Sequence, residues 1–474
     1  MQELVKLFKQ YTGKSNPTIE VLPLSGSNRR YYRLVEGDIS IIGVHGESLN
    51  ENRAFIKIAR HFYKQGLNTP ELYIVSDDEM YYLQEDLGDT ILFDEIKGGR
   101  LTGVFSTDEK ELLHNTIALL PDIQIKGGEN LDYSVCHPSP EFNKRSVFWD
   151  LNYFKYNFLK TTEMDFQEDL LENDFEKLAN DLLGDESDSF LYRDFQSRNV
   201  MLKNNIPYFI DFQGGRRGPI YYDVASFLWQ AKANMPNDLR DELIETYITS
   251  LRRYRDVDSA EFIKKLRLFV LFRTLQVLGA YGFRGYFEKK PHFIQSIPFA
   301  LNNLRDLLKD GFNEYPYLNS VLEEMVDLKQ FADTQKRGLK VRVFSFAYKK
   351  GIPNDTSGNG GGYVFDCRAI NNPGKYDKFK NVTGLDEEVK LFLEEDGEMK
   401  VFLDNIFPLV DAHIKRYIER DFTNLMVSFG CTGGQHRSVY AAQKMAEHIS
   451  KKFGVRVSLV HREQNLEQEF RKNR

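Results

Sequence analysis

The chain has 474 residues, 41% hydrophobic and 28% charged, with a formal net charge of −7. That length is too great for one ordinary core, so two or three domains are expected. The composition is that of a globular protein and excludes a disordered chain or a disulfide-framed mini-protein.

Charge divides unevenly. Residues 331–474 carry 24 Lys+Arg against 19 Asp+Glu, a net +5, which leaves −12 for residues 1–330. The difference is small, and it points to an anionic ligand for the second part. Cys136, Cys367 and Cys431 are too few and too scattered for a disulfide framework, which fits a reducing compartment. The opening MQELVKLFKQYTGK reads as a short amphipathic helix, too weakly apolar for a signal peptide, and no apolar run approaches membrane-spanning length. A cytoplasmic protein without membrane contact is expected.

In chain order, Val21–Leu34 (VLPLSGSNRRYYRL) has two apolar segments around a Ser25-Gly26-Ser27 turn. Backbone N–H groups of such a hairpin can approach phosphates, and Arg29 or Arg30 can add charge. The next strand, Ile39–Val44, lacks the lysine that many kinases direct at the nucleotide phosphates. Helix Asn50–Gln65 follows, with Phe55, Ile58, Ala59 and Phe62 on one face and Glu51 near its start. After Tyr81–Gly88 the pattern turns helical over 101–183, including Phe148–Phe154 (FWDLNYF).

The chemistry centres on Phe190–Asp211. Arg193-Asp194 sits on a tight loop, Asn199 follows five residues after Asp194, and the strand Pro207–Ile210 ends at Asp211. Phosphoryl transfer needs one carboxylate to accept a proton from the attacking hydroxyl, and an amide plus a second carboxylate to hold magnesium against the phosphates. Asp194 fits the first role; Asn199 and Asp211 fit the second. Any one of these is an ordinary turn residue. Together, and continued by GGRRGPIYYDVASF, they resemble aminoglycoside phosphotransferases, most closely the branch of kinases acting on N-acetylmuramate and N-acetylglucosamine.

That resemblance implies an α+β protein-kinase-like fold, a small lobe at 1–86 and a large lobe at 87–320, with ATP and Mg2+ as cofactors. It implies nucleotide contacts from Ser25, Gly26, Ser27 and Arg30 and from the hinge residues Gln84 and Glu85. Sugar contacts are implied for Asp150, Arg193, Gln196 and Gln213, with Trp149 or Tyr153 as stacking candidates. Asp223 is expected to brace the catalytic loop.

Residues 321–338 read as a charged connector helix ending at Gly338. A small α/β domain over 339–474 then opens with the strand Leu339–Phe346. Its centre is NLMVSFGCTGGQHRS (Asn424–Ser438): a strand, a Gly-rich turn, and a helix with Val439, Ala442, Ala446 and Ile449 on one face. That arrangement binds an anion through backbone N–H groups. The expected phosphate site comprises Cys431, Thr432, Gly433, Gly434, Gln435, His436, Arg437 and Ser438.

SFAYKKGIP, VFDCRAINNP, TGLD, GCTGGQHRSV and HRE, in that order, resemble the C-terminal domain of the RNase adaptor RapZ. The resemblance implies a domain that binds a regulatory RNA and senses glucosamine-6-phosphate, with Asp366 and Arg368 as sugar contacts. Gln435 stands where the family tends to have lysine, and the basic tail is short, so a phosphosugar is favoured over RNA. One alternative is an RNA-binding adaptor with a nucleotide-sensing kinase fold. Another is a phosphatase built on the Cys431-x5-Arg437 spacing, which lacks the usual preceding histidine. Homo-oligomerisation is left open.

Overall fold

A computed structural model describes every residue except 24–28, 185–186, 329–330, 332–338, 356–360, 420–421 and 471–474. The chain forms two compact units: Met1–Glu288 with Ser296–Ala332, and Lys289–Gln295 with Asp333–Arg474. The expected turn residues Ser25, Gly26 and Ser27, and the end of the connector at Lys336-Arg337-Gly338, lie outside the described residues.

The first unit opens with helix Gln2–Thr12, which buries Leu4, Leu7 and Phe8. Five antiparallel strands follow: β1 (Thr18–Val21), β2 (Arg30–Glu36), β3 (Ile39–His45), β4 (Leu72–Val75) and β5 (Tyr81–Glu85), in the order β1-β2-β3-β5-β4. Side chains alternate across a strand, so the sheet has two apolar faces. Ile41, Leu34 and Leu83 pack with the N-terminal helix. Ile42, Val44 and Tyr82 join the large core instead, with Phe55, Ile58, Ala59 and Phe62 of helix Leu49–Lys64. That helix starts where Ser48 accepts a hydrogen bond from the Glu51 N–H.

Beyond Glu85 the unit is mainly helical, with two short hairpin-like pairs. β6 (Ser189–Leu191) pairs with β9 (Arg216–Gly218), and β7 (Val200–Lys203) pairs with β8 (Ile206–Phe209). β8 runs one residue earlier than the sequence pattern implies, because the Ile210 carbonyl is taken by the Tyr192 hydroxyl instead of a neighbouring strand.

One sequence expectation is corrected here. The helix Ser259–Gly282 and its continuation to Phe287 are long and apolar enough to cross a bilayer by length and composition. Of its most apolar window, 61% is buried within the protein, so the apolar run is accounted for as core.

In the second unit β10 (Lys340–Ala347) lies at the centre of a sheet ordered β11-β12-β10-β13-β14, with β11 (Tyr363–Asp366), β12 (Asn424–Cys431), β13 (Arg456–His461) and β14 (Leu466–Phe470). All pairs are parallel except β13-β14. The helix Arg437–Phe453 buries Val439, Ala442, Ala446 and Ile449, the face its periodicity predicts. In such a sheet the carboxyl end of a central strand is where a ligand loop arises, and β12 ends at Cys431.

Candidate active site and anion loop

The loop after β6 is held from beneath. Asp223, fully buried on helix Tyr221–Leu228, accepts hydrogen bonds from the backbone N–H groups of Tyr192 (2.8 Å) and Arg193 (2.9 Å), and from Gln124 Nε2 (3.1 Å). Burial pushes its pKa up to about 7. Arg193 takes φ 75°, a conformation costly for a side-chain-bearing residue and maintained by its surroundings. Phe195 anchors the other side, with ring centroids 5.5 Å from Phe209 and 5.0 Å from Phe227. Between these anchors Asp194 is exposed.

Asn199 ends the same loop, and its Nδ2 donates to the Asp194 carbonyl, 2.8 Å away. Asp211 sits two residues past β8 with φ 69° and accepts from Gln213 Nε2 at 2.6 Å. Burial is the main cause raising its pKa, with the nearby Asp194 and Glu51 charges adding to it, while Gln213 and Arg29 oppose them. The structure therefore brings Asp194, Asn199 and Asp211 together, with Arg29 and Glu51 close by.

Magnesium fits this donor set. Asn199 donates through its amide nitrogen, which leaves the amide oxygen as a hard ligand beside the Asp211 carboxylate. Among the described residues no group of three or more His, Cys, Asp or Glu forms a closed metal cage. Two protein oxygens supplemented by phosphate and water are what magnesium accepts.

Around that centre the cationic side chains are unequal. Arg30 is exposed, with Nη2 3.9 Å from Glu47 Oε1, whereas Arg29 is 3% exposed and donates to the Glu51 carbonyl at 3.1 Å. Arg33 is committed to Asp86 and Asp89, 2.7 Å from each. Gln84 is 9% exposed and its Oε1 is buried without a protein partner. Glu85 pairs with Lys203 at 2.5 Å.

On the acceptor side Arg193 Nη2 contacts both oxygens of Asp150 at 3.2 Å. Burial raises the Asp150 pKa, against the opposing pull of Arg193, Arg273 and Arg216. Three guanidinium groups thus act on one buried carboxylate. Arg216 feels this crowding: burial first, then Arg193, lowers its pKa to about 10. Arg193 Nη1 is buried without a partner. Gln196 and Gln213 are half-buried, Trp149 is 55% exposed, and Tyr153 packs on Phe283 at 5.8 Å. Sequence reading did not single out Arg216, which lies in the GGRRGP run without a role assigned to it, or Arg273, which stands in a long apolar helix.

In the second unit the Gly-rich turn closes on itself. Cys431 Sγ accepts from the Gly434 N–H (3.2 Å) and lies 3.1 Å from Ser438 Oγ. Gly434 has φ 67°, and a Cβ there would meet Glu463 Cγ at 2.4 Å, so only glycine fits. Three expected anion donors face elsewhere. Gln435 Nε2 donates to the Lys380 and Val382 carbonyls, His436 Nε2 lies 2.9 Å from the Phe379 carbonyl, and Arg437 Nη1 donates to the Arg368 and Ile370 carbonyls at 2.8 and 2.7 Å. These side chains tie neighbouring loops together because each stray carbonyl needs a donor.

What stays open is Thr432 and Gly433, both exposed; Arg368, at 51% side-chain exposure, follows β11, whose last residue Asp366 pairs with Gly430. Arg368 is braced by Asp366 (2.6 Å) and stacked over Tyr348 (4.1 Å). The phosphatase arrangement does not form: Cys431 is 3% exposed and the Arg437 guanidinium is engaged by backbone carbonyls.

Several known proteins are similar to parts of this chain. "Nucleotide-binding protein" of Endomicrobium trichonymphae is 37% identical over 147 residues, 31% of this chain and 48% of that protein. A protein of the same description from Thermotoga neapolitana is 38% identical over 136 residues, 29% of this chain and 46% of its own length. The chain spans about half the length of these curated relatives. Among solved structures, choline kinase from Cryptosporidium parvum aligns with TM-score 0.47 and 11% identity over 68% of this chain and 99% of its own. An aminoglycoside phosphotransferase in ternary complex with ADP and hygromycin B aligns at TM-score 0.42 and 16% identity, over 65% and 99%. Residues 339–465 match the RapZ C-terminal domain, and residues 18–262 match the phosphotransferase enzyme family. Since the second match covers more than half of the 474 residues, the chain belongs to the phosphotransferase enzyme family and joins to it a RapZ C-terminal domain.

Proposed function

We propose that the first unit is an ATP- and magnesium-dependent kinase of an amino-sugar hydroxyl, and that the second unit binds a phosphorylated amino sugar. The convergence of Asp194, Asn199 and Asp211 carries the kinase reading. Asp194 is exposed where an acceptor hydroxyl can reach it, on a loop fixed by Asp223. It accepts the hydroxyl proton as the oxygen attacks phosphorus. Asn199 and Asp211 would hold magnesium, which when bound would neutralise charge on the transferring phosphoryl group. On the nucleotide side, the unpartnered Gln84 Oε1 suits an amino group such as that of adenine.

The guanidinium surplus around Asp150 favours N-acetylmuramate, which carries a carboxylate, over N-acetylglucosamine, which does not. Arg193, Asp150, Gln196 and Gln213 are the sugar contacts in this reading. A role in cell-wall sugar recycling in the cytoplasm follows from that substrate, and Cys136, Cys367 and Cys431 are all unpaired, as a reducing setting requires. In the second unit the open backbone at Thr432 and Gly433, together with the exposed Arg368 guanidinium, supports one phosphate.

Incubating the full chain with labelled ATP, magnesium and a panel of amino sugars tests the kinase reading. Phosphorylation of N-acetylmuramate ahead of N-acetylglucosamine is the expected result. ATP binding without transfer to any sugar would overturn it in favour of a nucleotide sensor. For the second unit, calorimetric titration of the full chain with glucosamine-6-phosphate should show saturable binding; a chain that takes up only structured RNA would refute the phosphosugar.

A further inference from the structure

The kinase reading leaves a vacancy in charge. In kinases a strand lysine meets the nucleotide phosphates, but the cleft face of β3 carries Ile42 and Val44, both buried in the large core. No substitution for that lysine is visible on β3 itself.

The neighbouring strand supplies a cation. β2 pairs with β3 so that Tyr31 opposes Val44 and Arg30 opposes His45. Opposed residues in an antiparallel pair share a face, and successive residues alternate. Tyr31 accordingly packs against the large core, while Tyr32 packs on the opposite face with Leu4 and Leu34. Arg30 therefore falls on the face away from the cleft and Arg29 on the cleft face. Their surroundings agree with this. Arg30 is exposed near Glu47, whereas Arg29 is buried, with its guanidinium 5.4 Å from the Phe55 ring centroid and a hydrogen bond to the Glu51 carbonyl. Glu51 begins the helix that in kinases orients the strand lysine. Phe55, beside the Arg29 guanidinium, stacks at 5.2 Å on Phe212, the residue after the proposed magnesium ligand Asp211. Arg33 is the cleft-face arginine within β2, and its guanidinium is held by Asp86 and Asp89.

We propose that Arg29, immediately ahead of β2 and positioned by the start of helix Leu49–Lys64, is the cation that binds the ATP phosphates in place of the strand lysine. Guanidinium suits this route: it stays charged when buried and presents several N–H donors in one planar fork. An ammonium at the same point has a shorter reach and three donors in a different geometry.

The inference rests on the kinase reading, and one series separates the two. In the full chain, binding of ATP, ADP and adenosine is measured by calorimetry with magnesium for the parent, Arg29→Met and Arg29→Lys. If the parent binds no ATP, the kinase reading itself fails. If the parent binds ATP, Arg29→Met should weaken ATP by about 10- to 100-fold, the usual range for a lost charge-assisted hydrogen bond, and leave adenosine within about twofold. Arg29→Lys should recover part of the ATP affinity. Unchanged ATP binding in Arg29→Met overturns the assignment. So does an equal loss of ATP and adenosine with no recovery in Arg29→Lys, the pattern of a packing residue only. A thermal melt of each variant identifies any that fail to fold; if Arg29→Met does, the Arg29→Lys and Arg29→Gln pair decides, with Lys expected to bind ATP more tightly than Gln.

Discussion

Asp223 Oδ1 lies 2.9 Å from the backbone nitrogen of Arg193, and Asp223 Oδ2 lies 2.8 Å from that of Tyr192. One buried side chain thereby fixes two consecutive peptides immediately before Asp194. Asp223→Asn replaces an acceptor with an amide NH2 that must face a backbone N–H. The expected cost is about 1–3 kcal/mol for a buried group left unmet. Urea unfolding checks the stability, and turnover should fall with it because the loop loses its register. A variant equal to the parent in both measurements removes Asp223 as the brace.

The two carboxylates of the site should separate by readout. Asp194→Asn is expected to reduce sugar phosphorylation by about 100- to 10,000-fold, the range for lost general-base help, with magnesium-ATP binding largely retained. Asp211→Asn is expected to abolish the gain in ATP affinity that magnesium gives the parent. Calorimetry with and without magnesium measures it. A magnesium response as large as the parent's would take Asp211 out of the metal site.

In the second unit His461 is fully buried, with Nδ1 2.9 Å from Ser345 Oγ, and burial lowers its pKa to about 4. A depressed folded-state pKa means that the folded state resists protonation while the unfolded chain, near 6.5, does not. Stability from this group is therefore full above about pH 6.5 and is lost as pH falls towards 4. Melting of the second unit, followed by hydrogen exchange of β10 and β13 amides, should weaken across that window. In His461→Gln that part of the pH dependence should vanish.

Arg437 is expected to behave as a structural donor. Arg437→Ala leaves the Arg368 and Ile370 carbonyls without their donor and should destabilise the second unit by about 1–3 kcal/mol per unmet group. Loss of glucosamine-6-phosphate binding should accompany the loss of stability. Full stability with selective loss of the ligand would mean instead that Arg437 touches phosphate directly.

The parts legible in the sequence are those fixed by local spacing. The five-residue gap from Asp194 to Asn199 and the strand leading to Asp211 are local, and the loop they form is local. The apolar faces of helices Leu49–Lys64 and Arg437–Phe453 were legible for the same reason, since a period of 3.6 needs no knowledge of the partner. What escaped depends on tertiary register. Whether Arg29 or Arg30 faces the cleft is decided by the pairing of β2 with β3, and a one-residue slip reverses it. The inward turn of Gln435, His436 and Arg437 depends on carbonyls 53 to 69 residues away in sequence, which no motif records. The clustering of Arg216 and Arg273 on Asp150 likewise joins three separate elements.

Phe212, directly after Asp211, is fully buried, with ring centroids 5.2 Å from both Phe55 and Phe62 of helix Leu49–Lys64 and 6.5 Å from Tyr192. Swinging that helix outward, the familiar way to silence a protein kinase, would break both of its ring contacts with Phe212. Each such contact is worth roughly 0.5–1.5 kcal/mol beyond the burial it maintains. The helix that carries Glu51 is thus clamped to the residue that follows Asp211.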